Sequence, residues 1–205
     1  IVRWACRWSI GSEDTRTSLK QYDKKVAQCK NYIAYVIVDH LPRITPTDEN
    51  YFLYIGNMEK RKGTDTLLHA YCLYRERGGR KELYLGGKIR EPEIEDLLKE
   101  CQQKTEGIHY LGYVDSGEKY RRYASCAAFV FPSRAEGFGI PVIEALYYGK
   151  TVIVSDLPIF DEIAGTAICK FPNGNSQHET EKYLADILLR ELVMDQTVAR
   201  QAVDR

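Results

Sequence analysis

From residue 51 onward, short runs rich in β-branched and aromatic residues alternate with amphipathic helical stretches, and this alternation restricts the fold more than any other feature. Residues 51–55, 82–85, 108–111, 127–131, 151–154 and 167–171 read as six strands. The first four run into Gly56, Gly86-Gly87, Gly112 and Pro132, residues that end a strand and open a turn. Between strands, Leu67, Leu68, Tyr71 and Tyr74 recur at helical spacing after Thr64, which reads as an N-cap. Ile94, Leu97, Leu98 and Cys101 follow the i, i+3, i+4, i+7 pattern, with Pro92 placed for a first turn. Residues 177–205 continue in helical pattern without a Gly or Pro stop. Strands separated by helices must run parallel, so the expectation is an α/β fold: a Rossmann-like parallel sheet with helices on both faces.

The first fifty residues differ in texture, with a mixed Trp and charged opening, a helical stretch at 15–22 and an apolar run at 32–38. That is too little to fold alone. Residues 41–50 carry Pro42, Pro46, Thr and Asp without periodicity and read as a linker. A chain that opens at Ile1 in this way is expected to be a segment of a longer protein.

Twenty-nine basic residues balance twenty-nine acidic ones, so no overall field favours a polyanion, and nucleic acid is not an expected partner. Any phosphate must be held by a local arrangement. The six cysteines are scattered without Cys-x-x-Cys spacing, which predicts a reduced, cytoplasmic protein with no zinc or redox pair. No apolar run approaches the roughly 20 residues of a membrane span, which leaves peripheral membrane contact open.

The stretch from Phe131 through Leu146 carries the chemistry. It leaves the carboxyl end of a strand and enters a helix, where ligands bind in open parallel sheets. Gly137 and Gly139 remove side chains from a turn whose backbone N–H groups can then approach an anion, and Pro141 suits the first helical turn. Glu136 precedes the glycines and Glu144 lies eight residues later, so two carboxylates that can accept hydrogen bonds from vicinal hydroxyls bracket one phosphate cradle. Taken singly, each residue has a plain alternative: a helical Glu is ordinarily a solvated side chain, and glycines between strand and helix ordinarily serve the turn. Their combination points to a sugar nucleotide, with polyol at both ends and phosphate between.

The segment EGFGIPVIEAL resembles the paired-glutamate motif of the retaining glycosyltransferases of family four, which adopt the GT-B fold. The likeness extends to YFLYIGNMEKRKGTDTLLHAY, LYLGG, LGYV, YRRYASCAAFVFPS and GKTVIVSDLPIFDEIAG, in the family's order and over about three quarters of the chain. It implies one half of a GT-B fold: residues 47–205 as the nucleotide-sugar (donor) domain, and residues 1–46 as a remnant of the acceptor domain with the interdomain connection. GSEDTRTSLKQY stands more weakly in the place of the family's Ser-Glu helix start. The resemblance further implies that Glu136 holds hydroxyls of the transferred sugar, that the N–H groups of Gly137, Phe138 and Gly139 face the distal phosphate, and that Glu144 binds the ribose. Lys62 matches the family's phosphate-binding lysine, and Tyr113-Val114 would offer backbone groups to the base. After Gly56, where the family commonly has arginine, this chain has Asn57, which can donate a hydrogen bond but brings no charge.

The implied reaction is transfer of a glycosyl group from a nucleoside diphosphate sugar to a hydroxyl of a glycan or glycolipid, with retention at the anomeric carbon. Glu136 and Lys62 are the expected catalytic pair, with no metal and no cofactor beyond the sugar nucleotide itself. The acceptor would be bound largely by the other domain, so this chain alone is expected to be inactive. A non-catalytic nucleotide-sugar-binding or scaffold domain derived from such an enzyme is the alternative. A nicotinamide-dependent oxidoreductase is disfavoured, because no Gly-x-Gly-x-x-Gly follows any strand.

Overall fold

The structure, a computed structural model, describes residues 7–10, 12–22, 30–33, 41–47 and 49–190. Near the amino terminus β1 (Arg7–Ile10) and β2 (Lys30–Ile33) pair in parallel, with α1 (Glu13–Tyr22) between them in sequence. The main sheet holds six strands: β3 (Tyr51–Ile55), β4 (Glu82–Gly86), β5 (Ile108–Gly112), β6 (Ala128–Phe131), β7 (Thr151–Ser155) and β8 (Cys169–Phe171). Their order is β5-β4-β3-β6-β7-β8, and every neighbouring pair is parallel. The chain therefore winds from the centre to one edge, returns, and winds to the other. Its direction reverses between β3 and β6, the place where open α/β sheets bind their ligands.

Burial follows that order. Tyr51–Ile55 and Thr151–Ser155 are buried along their whole length, as is Ala128–Phe131, because helices cover both faces. The edge strands β5 and β8 are only partly buried. The connecting helices are α2 (Thr64–Glu76), α3 (Pro92–Lys104), α4 (Ser116–Ser125), α5 (Ile140–Tyr147), α6 (Pro158–Ala164) and α7 (Gln177–Leu189). Helix α2 packs against α3 and α7, while α4 packs against α5. Leu67, Leu68, Tyr71 and Tyr74 are buried, as the spacing predicts, and so are Ile94, Leu98 and Cys101, with Leu97 at the margin of the same core.

One expectation is corrected. Thr64 is not a cap but the first helical residue: Gly63 takes the cap position with φ of 67°, and Thr64 Oγ1 turns inward towards the Glu59 carbonyl and the Tyr54 phenol. The helix predicted over 177–205 is described to Leu189, and 191–205 lie outside the described residues, as do 34–38 of the apolar run. The linker at 41–50 forms no helix or strand in its described residues, yet it is tied down. Thr47 and Glu49 donate their N–H groups to Ala124 and Ser125 carbonyls at 2.9 and 2.7 Å, and the Tyr148 hydroxyl reaches the Pro42 carbonyl at 2.9 Å.

Candidate functional site across the sheet's switch point

Two loops leave the sheet on either side of the reversal, one after β3 and one after β6, and the sequence builds them to grip each other. The first contains a single 3-10 turn, Lys60–Lys62, closed by Gly63. A Cβ at Gly63 would sit 1.9 Å from the Pro132 carbonyl oxygen, and its φ of 67° is left-handed, so only glycine lets the two loops touch here. The Arg134 N–H donates to the Arg61 carbonyl at 2.9 Å, and the Arg61 guanidinium donates to the Ala135 carbonyl at 3.1 Å. Arg134 in turn forks onto Asp65 at 2.8 and 2.9 Å and reaches Thr66 Oγ1 at 2.8 Å, a bidentate charge-assisted contact that stiffens the junction.

Those ties bring Lys62 and Glu136 together. The Lys62 ammonium donates to Glu136 Oε1 and lies 5.5 Å from the centre of the Phe131 ring, which walls it from below. The Ser133 hydroxyl donates to the same oxygen at 2.7 Å, and Ser155, from the end of β7, holds the Ser133 carbonyl. The side chains of Lys62 and Glu136 are only 16% and 8% exposed, so they are a desolvated pair rather than a surface contact. Oε2 of Glu136 has no partner among the described residues, and an ammonium has donors to spare beyond the one given to Oε1.

Glu144 lies on α5 and is 6% exposed. Its Oε1 accepts from the Lys119 ammonium of α4 at 2.6 Å. Tyr123, also from α4, is fully buried beside it, and burial followed by the Glu144 charge pushes its phenol well above the ordinary value, so it stays protonated as a neutral donor. Both glutamates thus come from the one segment that leaves β6 and runs through α5, and each is held by a lysine from a different loop or helix.

Between them stands the glycine turn. Gly139 has a left-handed φ of 89° and a Cβ there would press on Phe160, so its identity follows from the fold. Gly137 differs: its backbone is ordinary, and a Cβ would meet nothing nearer than Thr15 Oγ1 at 4.0 Å. Its lack of a side chain leaves open space beside the backbone, as close approach of a ligand requires. Helix α5 is capped by Gly139, which has no side chain to occupy its first-turn N–H groups.

The remaining expected residues lie along the same rim. The Gly56 N–H is tied to the Gly86 carbonyl at 2.9 Å, and the Asn57 carbonyl accepts from the Tyr54 phenol at 2.7 Å, leaving the Asn57 side chain exposed. Val114 is half-buried beyond β5, next to Tyr113, which is 76% exposed under Lys88. A cavity of about 490 Å³ lies beside this constellation, lined by Lys60, Asp65, Arg134 and the loop before α7; Lys62 and the two glutamates are not part of its wall. Ser133, Arg134, Asp65 and Lys119 were not singled out from sequence. Arg134 and Ser133 lie inside the quoted motif, but nothing local names their partners. Among the described residues no cluster of His, Cys, Asp or Glu is arranged to hold a metal ion, and no helix is long and apolar enough to cross a membrane.

Comparison with known proteins bears on the fold and the family. The solved structures of pneumococcal O-GlcNAc transferase GtfA, in complex with UDP and GlcNAc, and of Anabaena HepE, in complex with UDP and glucose, both superpose with a TM-score of 0.78. They cover 97% and 98% of this chain, and 41% and 59% of their own, at 15% and 17% identity. Such distant likeness is one of fold, and it makes the sheet one half of a GT-B architecture. O-antigen chain mannosyltransferase B of Escherichia coli is 36% identical over 148 residues, 70% of this chain and 39% of that protein. O-antigen chain mannosyltransferase RfbU of Salmonella typhimurium is 30% identical over 115 residues, 56% of this chain and 32% of that protein. The chain thus spans well under half the length of these relatives. The family model of the glycosyl transferases of group 1 matches residues 40–201, and the chain belongs to that family.

Proposed function

We propose that this chain is the donor-binding part of a retaining glycosyltransferase, which moves a hexosyl group from a nucleoside diphosphate sugar to a hydroxyl of a glycan or glycolipid. The observation that carries the reading is the desolvated Lys62–Glu136 pair at the sheet's switch point, beside a glycine turn and a helix start with no side-chain cap. In this reading the Lys62 ammonium and the N–H groups of Gly137, Phe138 and Gly139 receive the diphosphate. Oε2 of Glu136 takes hydroxyls of the sugar, Glu144 takes those of the ribose, and Gly56, Asn57 and Val114 form the rim towards the base.

The transfer breaks the bond between the anomeric carbon and the diphosphate oxygen, which leaves with the electron pair, and the acceptor oxygen takes its place and loses its proton. Charge growing on the leaving group is the main obstacle. A preorganised cation and backbone dipoles in a dry site lower that barrier most effectively, and Lys62 supplies the cation in place of a resident metal. Desolvation matters because the same ammonium in bulk water would be worth far less. The mannosyltransferase names of the bacterial relatives make mannose the first sugar to test, and the free cysteines fit a reduced, cytoplasmic setting.

Calorimetric titration with a panel of nucleoside diphosphates and their sugar conjugates tests the reading. One base should bind with a dissociation constant below about 100 µM, or roughly −5.5 kcal/mol, and its sugar conjugate at least as tightly. Absence of binding across the panel at millimolar ligand would sink it.

A further inference from the structure

The helix start of α1 is held by side chains that come from far along the chain. Ser12 is fully buried, and its Oγ accepts the Thr15 N–H at 3.1 Å, the local N-cap. Two further N–H groups at this end, those of Glu13 and Asp14, donate to the two carboxylate oxygens of Glu162 on α6, at 2.8 and 3.0 Å. With its backbone donors satisfied, the helix presents two hydroxyls outward: Ser12 Oγ and Thr15 Oγ1 each lie 2.9 Å from the Gly137 carbonyl oxygen, whose two lone pairs can accept from both.

Gly137 is the residue of the turn least constrained by its own surroundings. No left-handed φ and no crowding define it, whereas Gly139 is fixed by both. A glycine in open space has wide conformational freedom, and that freedom would cost binding energy each time a ligand ordered it. The two hydroxyls remove it. The Gly137 carbonyl also shares a trans peptide plane with the Phe138 N–H, so holding one end of the plane sets the direction of the other.

We propose that Ser12 and Thr15 are positioning residues of the donor site: from the acceptor side of the junction they hold the glycine turn in the conformation in which its N–H groups receive the distal phosphate. This rests on the donor reading given above. Glu162 acts one step further back, by fastening α1 where its hydroxyls can reach. Donor affinity is then coupled to docking of α1, because undocking frees the turn.

The test compares the nucleoside diphosphate preferred by the wild-type chain with the matching monophosphate, which lacks the distal phosphate. Calorimetry is run on the wild type, the double variant Ser12→Ala/Thr15→Val, the single variant Thr15→Val and the conservative Thr15→Ser. Two lost hydrogen bonds of ordinary strength predict about tenfold weaker diphosphate binding in the double variant and about threefold in Thr15→Val, with monophosphate binding unchanged within about twofold. Thr15→Ser, which keeps the hydroxyl, should bind like the wild type. Thr15→Val alters a surface-accessible side chain and keeps the buried Ser12, so it reads out the effect even where the double variant is poorly folded. Equal loss for both nucleotides would mark a general structural defect and overturn the proposal, and so would an unchanged diphosphate affinity. A wild-type chain that binds neither nucleotide sinks the donor reading itself, an outcome distinct from both.

Discussion

Lys62 has an observed role and a proposed one, and they predict different measurements. As the counterion of Glu136 it neutralises a carboxylate that is 8% exposed, so Lys62→Ala strands that charge with Ser133 as its remaining donor. Breaking such a pair is expected to destabilise the fold by about 1–3 kcal/mol, seen as a lower urea midpoint. As a phosphate ligand it contributes a charge-assisted bond, so the same variant should bind nucleoside diphosphate roughly ten- to a hundredfold more weakly. A loss under about twofold would refute the phosphate role while leaving the structural one. Cys72 offers a pH-dependent counterpart away from the site. The neighbouring Cys101 draws its pKa down, while Cys101 is pushed up by the same contact. Iodoacetamide at neutral pH should therefore alkylate half-buried Cys72 before buried Cys101 and Cys126, as mass spectrometry would show. Glu136 and Glu144 are picked out as candidates by the glycine turn that lies between them, and Lys62 by the family resemblance alone. Their partners are not: Arg134 meets Asp65 across 69 residues of sequence, and Ser12 meets Gly137 across 125, distances at which no spacing rule operates.

Elements were legible where burial is periodic. The strands that surround the switch point and the helices α2 and α3 bury long regular faces, and their sequence patterns placed them within a residue or two. Helix α4 escaped notice because only Tyr123 and Ala124 of its ten residues are buried, and α6 because seven residues give too few turns for a pattern. The misassigned cap at Thr64 is a different case: the sequence displays a good capping residue, but Gly63 takes the position with a left-handed backbone that lies against Pro132, a juxtaposition visible only in three dimensions. That contact can be measured. Gly78 has a left-handed φ of 91° with open space around it, so Gly78→Ala carries the conformational cost alone, about 1 kcal/mol. Gly63→Ala carries that cost plus collision with a backbone oxygen, and should cost more than about 3 kcal/mol in urea unfolding, with nucleotide affinity falling as the Lys62 turn shifts. Equal costs at the two sites would mean that the loops do not depend on each other.

At the scale of the molecule, the question is how far the sheet depends on what precedes it. Among the described residues, every buried apolar residue of the main core lies between Tyr51 and Leu188, and of the segment before Tyr51 Ile44 packs against that core from its margin. A domain of about 150 residues buries enough surface to fold unaided, and the connection around Thr47 and Glu49 is hydrogen-bonded to the sheet's own helices. A chain of residues 41–205 is therefore expected to unfold cooperatively, with a melting temperature within about 5 °C of the 205-residue chain, since among the described residues the hydrogen bonds it loses to the sheet domain are those of Ser12, Glu13, Asp14 and Thr15. Its binding should change in one respect. Without α1 the two hydroxyls that hold the Gly137 carbonyl are gone, so diphosphate affinity should fall about tenfold while the monophosphate binds as before, reproducing the double variant by a route that removes the helix. If the shortened chain melts without a transition, the donor unit is not autonomous. If it binds the diphosphate as tightly as the longer chain, the glycine turn is set by the sheet alone and α1 is a bystander.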